Sequence, residues 1–272
     1  MNSVELEAVL TEVTNALGLQ LQYRLMPPGD SHTFSLRVTG LQKPVGFELR
    51  VRESLLSWTV DLYLDSFSGD LLRVMNNAYL ESRQTVSGIL TIAESFKLEA
   101  NLNLNEVPLQ IGTPSLNVVE LELRVRARFL EEDNKYSRLH DSLTFTLCLL
   151  LPLFTQEEST LDESLDPDPE EEGELSRIEI NKYERSKVNR ALCLRHHGFN
   201  CANCRLSMDH VYGPLGSKVI HVHHIQPVSQ MGTPRILDPI TDLVPLCPNC
   251  HTIIHKRNPP LTLQELSEIT NR

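Results

Sequence analysis

Two Cys-x-x-Cys pairs, Cys201-Ala202-Asn203-Cys204 and Cys247-Pro248-Asn249-Cys250, constrain the fold of this 272-residue chain more than any other feature. Each pair can turn two thiolates toward one ion, and four soft sulfur donors suit a closed tetrahedral Zn2+ site. Such a structural Zn2+ would tie the start of a small domain to its end, so that metal binding contributes folding free energy directly. Buried free thiols are the plain alternative. Cys148 and Cys193 sit alone among apolar neighbours, and a pattern of two pairs and two singles favours metal binding in a reducing compartment over disulfides.

Between the pairs runs Val219-Ile220-His221-Val222-His223-His224-Ile225, in which β-branched residues alternate with histidines ahead of Pro227. This reads as a strand. Alternate residues of a strand share a face, so His221 and His223 point one way and His224 the other, unless the strand ends there. Directly after the second pair come His251 and His255, a spacing that stacks two imidazoles on one face of a helix and makes a pair of metal ligands. A second structural zinc site is the competing reading of these histidines.

Strand, loop and metal-bearing helix together resemble the ββα-metal fold of HNH nucleases. The residues that carry the resemblance are VHHIQP, DLVPLCPNCH and the closing IIH. The resemblance implies that His223, His251 and His255 bind a catalytic divalent metal (Mg2+, Mn2+, Ni2+ or Zn2+) and that His224 is the general base. Asp242 stands where the family name expects the asparagine that braces the base-bearing loop. Tyr183-Glu184-Arg185-Ser186, Asn189-Arg190, Tyr212-Gly213 and Pro259-Pro260-Leu261 further resemble a subset that includes methylcytosine-specific restriction endonucleases of the McrA type. Arg185 and Arg190 are candidate DNA phosphate contacts, with surface salt bridges as the equal alternative. The resemblance covers about ninety residues of the C-terminal part and says nothing about the first 155. His196, His197, His210 and His221 read as structural or surface residues.

Phosphodiester hydrolysis needs a deprotonated water in line with the scissile phosphorus and a cation on the leaving oxygen. An imidazole that titrates near neutrality serves the first need, and one metal held by three histidines serves the second.

The formal net charge of −11 argues against a nucleic-acid partner until it is sorted by segment. Residues 156–175 hold ten acidic and no basic side chains, whereas residues 176–272 hold twelve Lys/Arg against seven Asp/Glu. A basic C-terminal part is compatible with phosphate contacts. The segment QEESTLDESLDPDPEEEGE cannot repay the entropy of folding and reads as an acidic disordered linker, a solvated spacer or else a competitor for the basic nuclease face. The expected organisation is α+β throughout: an N-terminal α+β recognition or sensor domain over 1–155, the linker over 156–175, and a zinc-stapled HNH domain over 176–272.

Within 1–155, Val4, Leu6, Val9, Leu10, Val13 and Leu17 recur at helical spacing, and Gly18 offers a stop. Phe34–Val38, Val45–Val51 and Leu56–Leu64 alternate as strands of an antiparallel meander, with Pro27, Pro28, Gly29, Asp30 and Gly40 between or before them. Asp70–Tyr79 and Val86–Leu98 look helical, Val118–Phe129 reads as another strand, and Ser142–Phe154 as a helix. No catalytic constellation is visible here. Trp58, Tyr63, Phe67 and His32 are scattered, His140 has no obvious partner, and the segment carries thirteen cations against nineteen acids without a basic stripe.

The Met1 end shows no basic head and apolar core, and the longest apolar run, Leu147–Phe154, is too short to cross a bilayer, so a soluble, cytoplasmic protein is expected. The implied function is a DNA endonuclease acting in restriction of, or defence against, foreign DNA, with or without modified bases. Its partners would be DNA, a second copy of the chain (each HNH domain cuts one strand), and a protein or small-ligand signal at the N-terminal domain. From a different class, the alternative is a non-catalytic zinc module that binds nucleic acid or a partner protein.

Overall fold

Alternation of apolar and charged residues builds the largest element of the chain. In Leu121–Arg128 (LELRVRAR) every apolar side chain is buried and every charged one exposed, the period of a strand covered on one face. The computed structural model describes residues 3–26, 32–39, 46–66, 68–108, 118–130, 133–154, 178–225, 237–257 and 260–270. The acidic linker 156–175 lies outside them, as do Pro27, Pro28, Gly29, Asp30, Gly40, Phe67 and Pro227.

Seven strands form one antiparallel sheet: β1 (Leu21–Leu25), β2 (Thr33–Val38), β3 (Phe47–Ser54), β4 (Ser57–Leu64), β5 (Leu98–Leu104), β6 (Val107–Pro108) and β7 (Leu121–Arg128). Their order across the sheet is β1-β2-β3-β4-β7-β5-β6. The expected meander is present as β2, β3 and β4, and the expected later strand is β7, which pairs with β4 and β5. The sheet extends beyond the expected meander, to β1 on one side and to β5 and β6 on the other. Asn105 and Glu106, both at positive φ (50° and 65°), join β5 to β6 in the two-residue turn whose twist suits a hairpin.

Helices cover one face of the sheet. Helix α1 (Ser3–Leu17) buries Leu6, Val9, Leu10, Val13 and Leu17, and it stops at Gly18, whose φ of 67° lets its N–H reach the Thr14 carbonyl at 2.8 Å. The two helices expected at Asp70–Tyr79 and Val86–Leu98 are one, α2 (Gly69–Thr91), because nothing between Leu80 and Thr85 is a breaker. It also ends earlier than expected. A 3-10 turn over Ala93–Phe96 and Lys97 in the left-handed region (φ 53°) turn the chain, and Leu98 opens β5 instead of closing a helix. Helix α3 starts at Lys135, ahead of Ser142, and runs to Phe154; the buried Trp58 indole N–H donates to the Lys135 carbonyl at 2.7 Å.

Helix α4 (Ile178–His197) joins two cores. Its Val188, Ala191 and Leu192 belong to the core of the sheet and α1–α3, while Leu194 belongs to a second core with Cys201, Ile220, Val244, Leu246, Cys247, Cys250, Ile254 and Leu266. The boundary expected between residues 155 and 176 therefore falls ahead of a helix that both parts use. Arg195 on α4 pairs with Asp141 of α3 and donates to the Ser137 hydroxyl at 2.7 Å and the Ser137 carbonyl at 3.1 Å.

The second core is wrapped by α5 (Met208–Tyr212), the antiparallel pair β8 (His221–His224) and β9 (Leu243–Leu246), α6 (Pro248–Ile254) and α7 (Leu263–Thr270). Thr262 and Glu265 cap α7 reciprocally: the Glu265 carboxylate accepts from the Thr262 N–H at 2.8 Å, and the Thr262 hydroxyl accepts from the Glu265 N–H at 3.2 Å. No helix among the described residues is long and apolar enough to cross a membrane.

Candidate metal centres

The first Cys pair sits on a tight loop after α4, where the Cys201 N–H bonds to the Leu206 carbonyl (3.0 Å) and the Arg205 N–H to the Cys201 carbonyl (2.9 Å). The second opens α6, with Pro248 at its first turn and the Cys250 N–H donating to the Cys247 sulfur at 3.5 Å. A bond from the Ala202 N–H to the Pro245 carbonyl, 2.8 Å, fastens the first loop to β9 and brings the pairs together. One sulfur from each of Cys201, Cys204, Cys247 and Cys250 then lies within 4.8 Å of every other.

The Cys204 and Cys247 sulfurs are 3.8 Å apart. That is the edge of a tetrahedron whose centre is about 2.3 Å from each sulfur, the Zn–S bond length, and far beyond a disulfide bond. Burial raises the Cys201 thiol, but hydrogen bonds from the backbone of Cys204, Cys247 and Asn203 outweigh it and bring the pKa to about 7, toward the thiolate. The four-cysteine cluster has the donor set, spacing and burial of a structural zinc site. Cys148 and Cys193, by contrast, are buried with pKa values raised by burial, Cys193 to about 12, as inert core thiols.

The histidines form a second, separate cluster. One nitrogen from each of His223, His251 and His255 lies within 4.8 Å of the others, and the rings sit 4.9 to 5.5 Å apart, centre to centre. His255 is not inside the helix, as its spacing implied, but caps it with φ −90° and ψ 4°. The turn still delivers its ring beside His251. Burial, with His255, His251 and His224 nearby, lowers His223 to about 4, so its ring is neutral and has a lone pair for a metal at neutral pH.

His224, one residue on, is outside this cluster, as strand alternation demanded. Burial lowers its pKa, and the opposing influence is the Asp242 carboxylate. Asp242 also fixes the backbone at that point: its carbonyl accepts from the Ile225 N–H at 2.9 Å, and its carboxylate accepts from the Asp238 N–H at 3.0 Å.

Residues 201–257 match the HNH endonuclease family model. No curated protein and no solved structure matches the chain. The HNH match opens at Cys201 and takes in both Cys pairs, β8, β9 and α6, which associates this module with nuclease activity and with DNA. It leaves α4 and the whole N-terminal sheet outside.

Three contacts in and beside the HNH module add to the sequence reading. His221, expected to be structural or a surface residue, places its Nδ1 3.2 Å from the Nδ1 of His251. Arg190 donates to the Ile220 carbonyl at 2.8 Å and is half-buried, so its guanidinium holds the chain just ahead of β8. His197 contacts the Ile240 carbonyl at 2.7 Å, tying α4 to the turn that carries Asp242. Arg185 lies on α4 with its side chain outside the described residues, and His210 is exposed.

Proposed function

We propose that the chain is a metal-dependent DNA endonuclease. The observation that carries this reading is the convergence of His223, His251 and His255 on one point, with His224 on the opposite side of the same strand, inside a module matched by the HNH endonuclease model.

The three clustered imidazoles are neutral donors of the kind that hold Zn2+ or Ni2+ with open positions left over, whereas Mg2+ or Mn2+ would depend on water and phosphate oxygens for its remaining ligands. A cation held there supplies charge stabilisation to the scissile phosphate and its leaving oxygen. His224 accepts the proton of the attacking water at a ring nitrogen. Asp242 keeps that ring placed through the bond from Ile225 to its carbonyl, and its carboxylate stabilises the imidazolium that forms. The four-cysteine cluster takes no part in the chemistry; it anchors α6, which carries His251, to the loop after α4.

The test is plasmid cleavage by the full chain and by His224→Ala, with each metal or a chelator, on unmodified and cytosine-modified DNA. Metal-dependent cutting that falls by about 10²-fold or more in the variant, with zinc content and melting unchanged, supports the reading. Cutting confined to modified DNA would extend it to restriction of foreign DNA. Double-strand breaks by a protein that is dimeric in light scattering would support pairing of two copies. No cleavage of any substrate by a folded, zinc-loaded chain would leave a binding module.

A further inference from the structure

The N-terminal sheet has a face that helices do not cover, and the strand register assembles on it what the linear sequence disperses. One row across the sheet reads Thr33, Arg52, Thr59, Arg126, Glu99, and the next reads Arg24, Ser35, Arg50, Asp61, Arg124, Asn101. Arg128, opposite Ser57, continues β7 beyond the first row. Among the described residues of these rows every cation is an arginine.

Four of these arginines are held in the same way. Arg50 Nε donates to Glu48 at 2.9 Å, Arg124 Nε to Asp61, Arg126 Nε to the Ser57 hydroxyl at 3.3 Å, and Arg128 Nε lies 2.8 Å from Glu99. Two of the anchoring carboxylates lie low, Asp61 and Glu48 at 8% and 12% exposed beneath Arg124 and Arg50 at 63% and 40%, whereas Glu99 is 49% exposed beside Arg128. Arg50 also stacks on the Tyr63 ring at 3.9 Å. Arg37 is different, since both of its terminal nitrogens are bound to Asp65. Pinning Nε fixes the plane of the guanidinium; Arg50 leans on Tyr63 and one terminal nitrogen of Arg126 lies 4.0 Å from Glu99, while in Arg124 and Arg128 the ion pair is made through Nε, which spares the edge of the two terminal nitrogens that grips a phosphate with two parallel bonds. Arg52 is exposed and enters no ion pair among the described residues.

We infer that this face binds the phosphodiester backbone of duplex DNA. The choice of DNA over another polyanion rests on the nuclease reading of the HNH module. The carboxylates paired with these arginines lower the net charge of the patch but order the guanidinium groups in advance, so less side-chain freedom is lost on binding. Helix α4 packs on α1 and α3, which lie on the opposite face of the sheet, so the arginine face is an anchor apart from the histidines. Backbone contacts of this kind carry no base specificity and register as salt dependence.

The experiment measures binding of a fluorescent duplex by the full chain over a range of salt, in the His224→Ala background so that the DNA stays intact. Replacing Arg52, Arg126 and Arg128 together by Gln should weaken binding about tenfold or more and reduce the slope of log K against log salt by about 3, at roughly 0.9 per lost phosphate contact. The matching Lys triple should keep the slope while losing part of the affinity. Arg52→Gln alone, which breaks no ion pair among the described residues, should take about 1 from the slope and guards against misfolding of the triple.

Identical affinity and slope in wild type and folded Gln variants would overturn the inference. So would arginine-dependent binding of RNA with none of DNA. The two readings are scored separately. Arginine-dependent DNA binding by a chain that cuts nothing keeps this surface and removes the nuclease, whereas cleavage with an unaltered slope does the reverse.

Discussion

His221 and His251 face each other through Nδ1 atoms 3.2 Å apart, a contact that requires one ring to donate and the other to accept. A histidine that binds metal through one nitrogen is held in orientation by whatever engages the other, and loss of such a partner costs about 10- to 100-fold in metal affinity. His221→Ala should therefore weaken Mn2+ or Co2+ binding by about tenfold in calorimetry while the fold persists; unaltered affinity would make His221 a bystander. Strand alternation put His221 on the same face as His223, and the spacing of His251 and His255 implied that their imidazoles lie side by side, as they do at 4.9 Å between centres. What the sequence could not carry is how α6 is rotated against β8, which alone decides which imidazoles meet. Gly216 poses a second demand at this scale. A Cβ there would fall on the Met208 carbonyl, backbone that cannot swing aside, so Gly216→Ala should cost about 1–3 kcal/mol or more, read as a lowered melting midpoint.

At the scale of elements, the HNH module is small, and its core is the nine buried residues from Leu194 to Leu266, three of them cysteines of the zinc-site cluster. Removing zinc with a strong chelator, or replacing Cys250 by Ser, should melt α6 and β9 together. The loss would appear as helical signal disappearing while the N-terminal part keeps its own transition. A chelated protein with an unchanged melting curve would show that the sulfurs are ordinary core thiols. The clustering of the paired cysteines was legible because two Cys-x-x-Cys pairs in one small domain favour a shared ion over separate thiols. The helical face of α1 and the strands with regular alternation were legible for a similar reason, since period alone settles them. Strand β5 was not: no proline or glycine stands between Ile89 and Leu98, and the break comes from Lys97 adopting a left-handed backbone that lysine does not advertise. Asn105-Glu106 likewise lacks the glycine that would have signalled a hairpin.

For the whole molecule, the seam between the sheet's helices and α4 holds a buried titratable group. His140 on α3 is 9% exposed, 3.8 Å from Glu12 of α1 and hydrogen-bonded to Thr144, with Asp141 beside it in sequence and Arg195 of α4 and Lys218 facing it. Burial, reinforced by Arg195 and Lys218, lowers its pKa to about 4 from the ordinary 6.5. Above pH 6.5 the ring is neutral folded and unfolded alike. As the pH falls from there toward 4, only the unfolded chain gains the proton, so stability drops across that window by about 3 kcal/mol from this residue. Urea titrations at pH 7 and pH 5 should show the decline in wild type and a smaller one in His140→Gln; equal declines would mean that the ring is protonated in place.

The sharing of α4 between two buried cores was not legible in the sequence, because a change in composition says nothing about what the next helix leans on. That sharing bears on how such a chain can be inherited or re-engineered. A nuclease module taken at residue 176 and fused to another protein would arrive with Val188, Ala191 and Leu192 bare, and the donor left behind would have an oily groove along α1 and α3. A successful transplant must bring a matching helix pair along with the histidines. Descent by shuffling would therefore tend to pass on the first three helices and the HNH module as one heirloom.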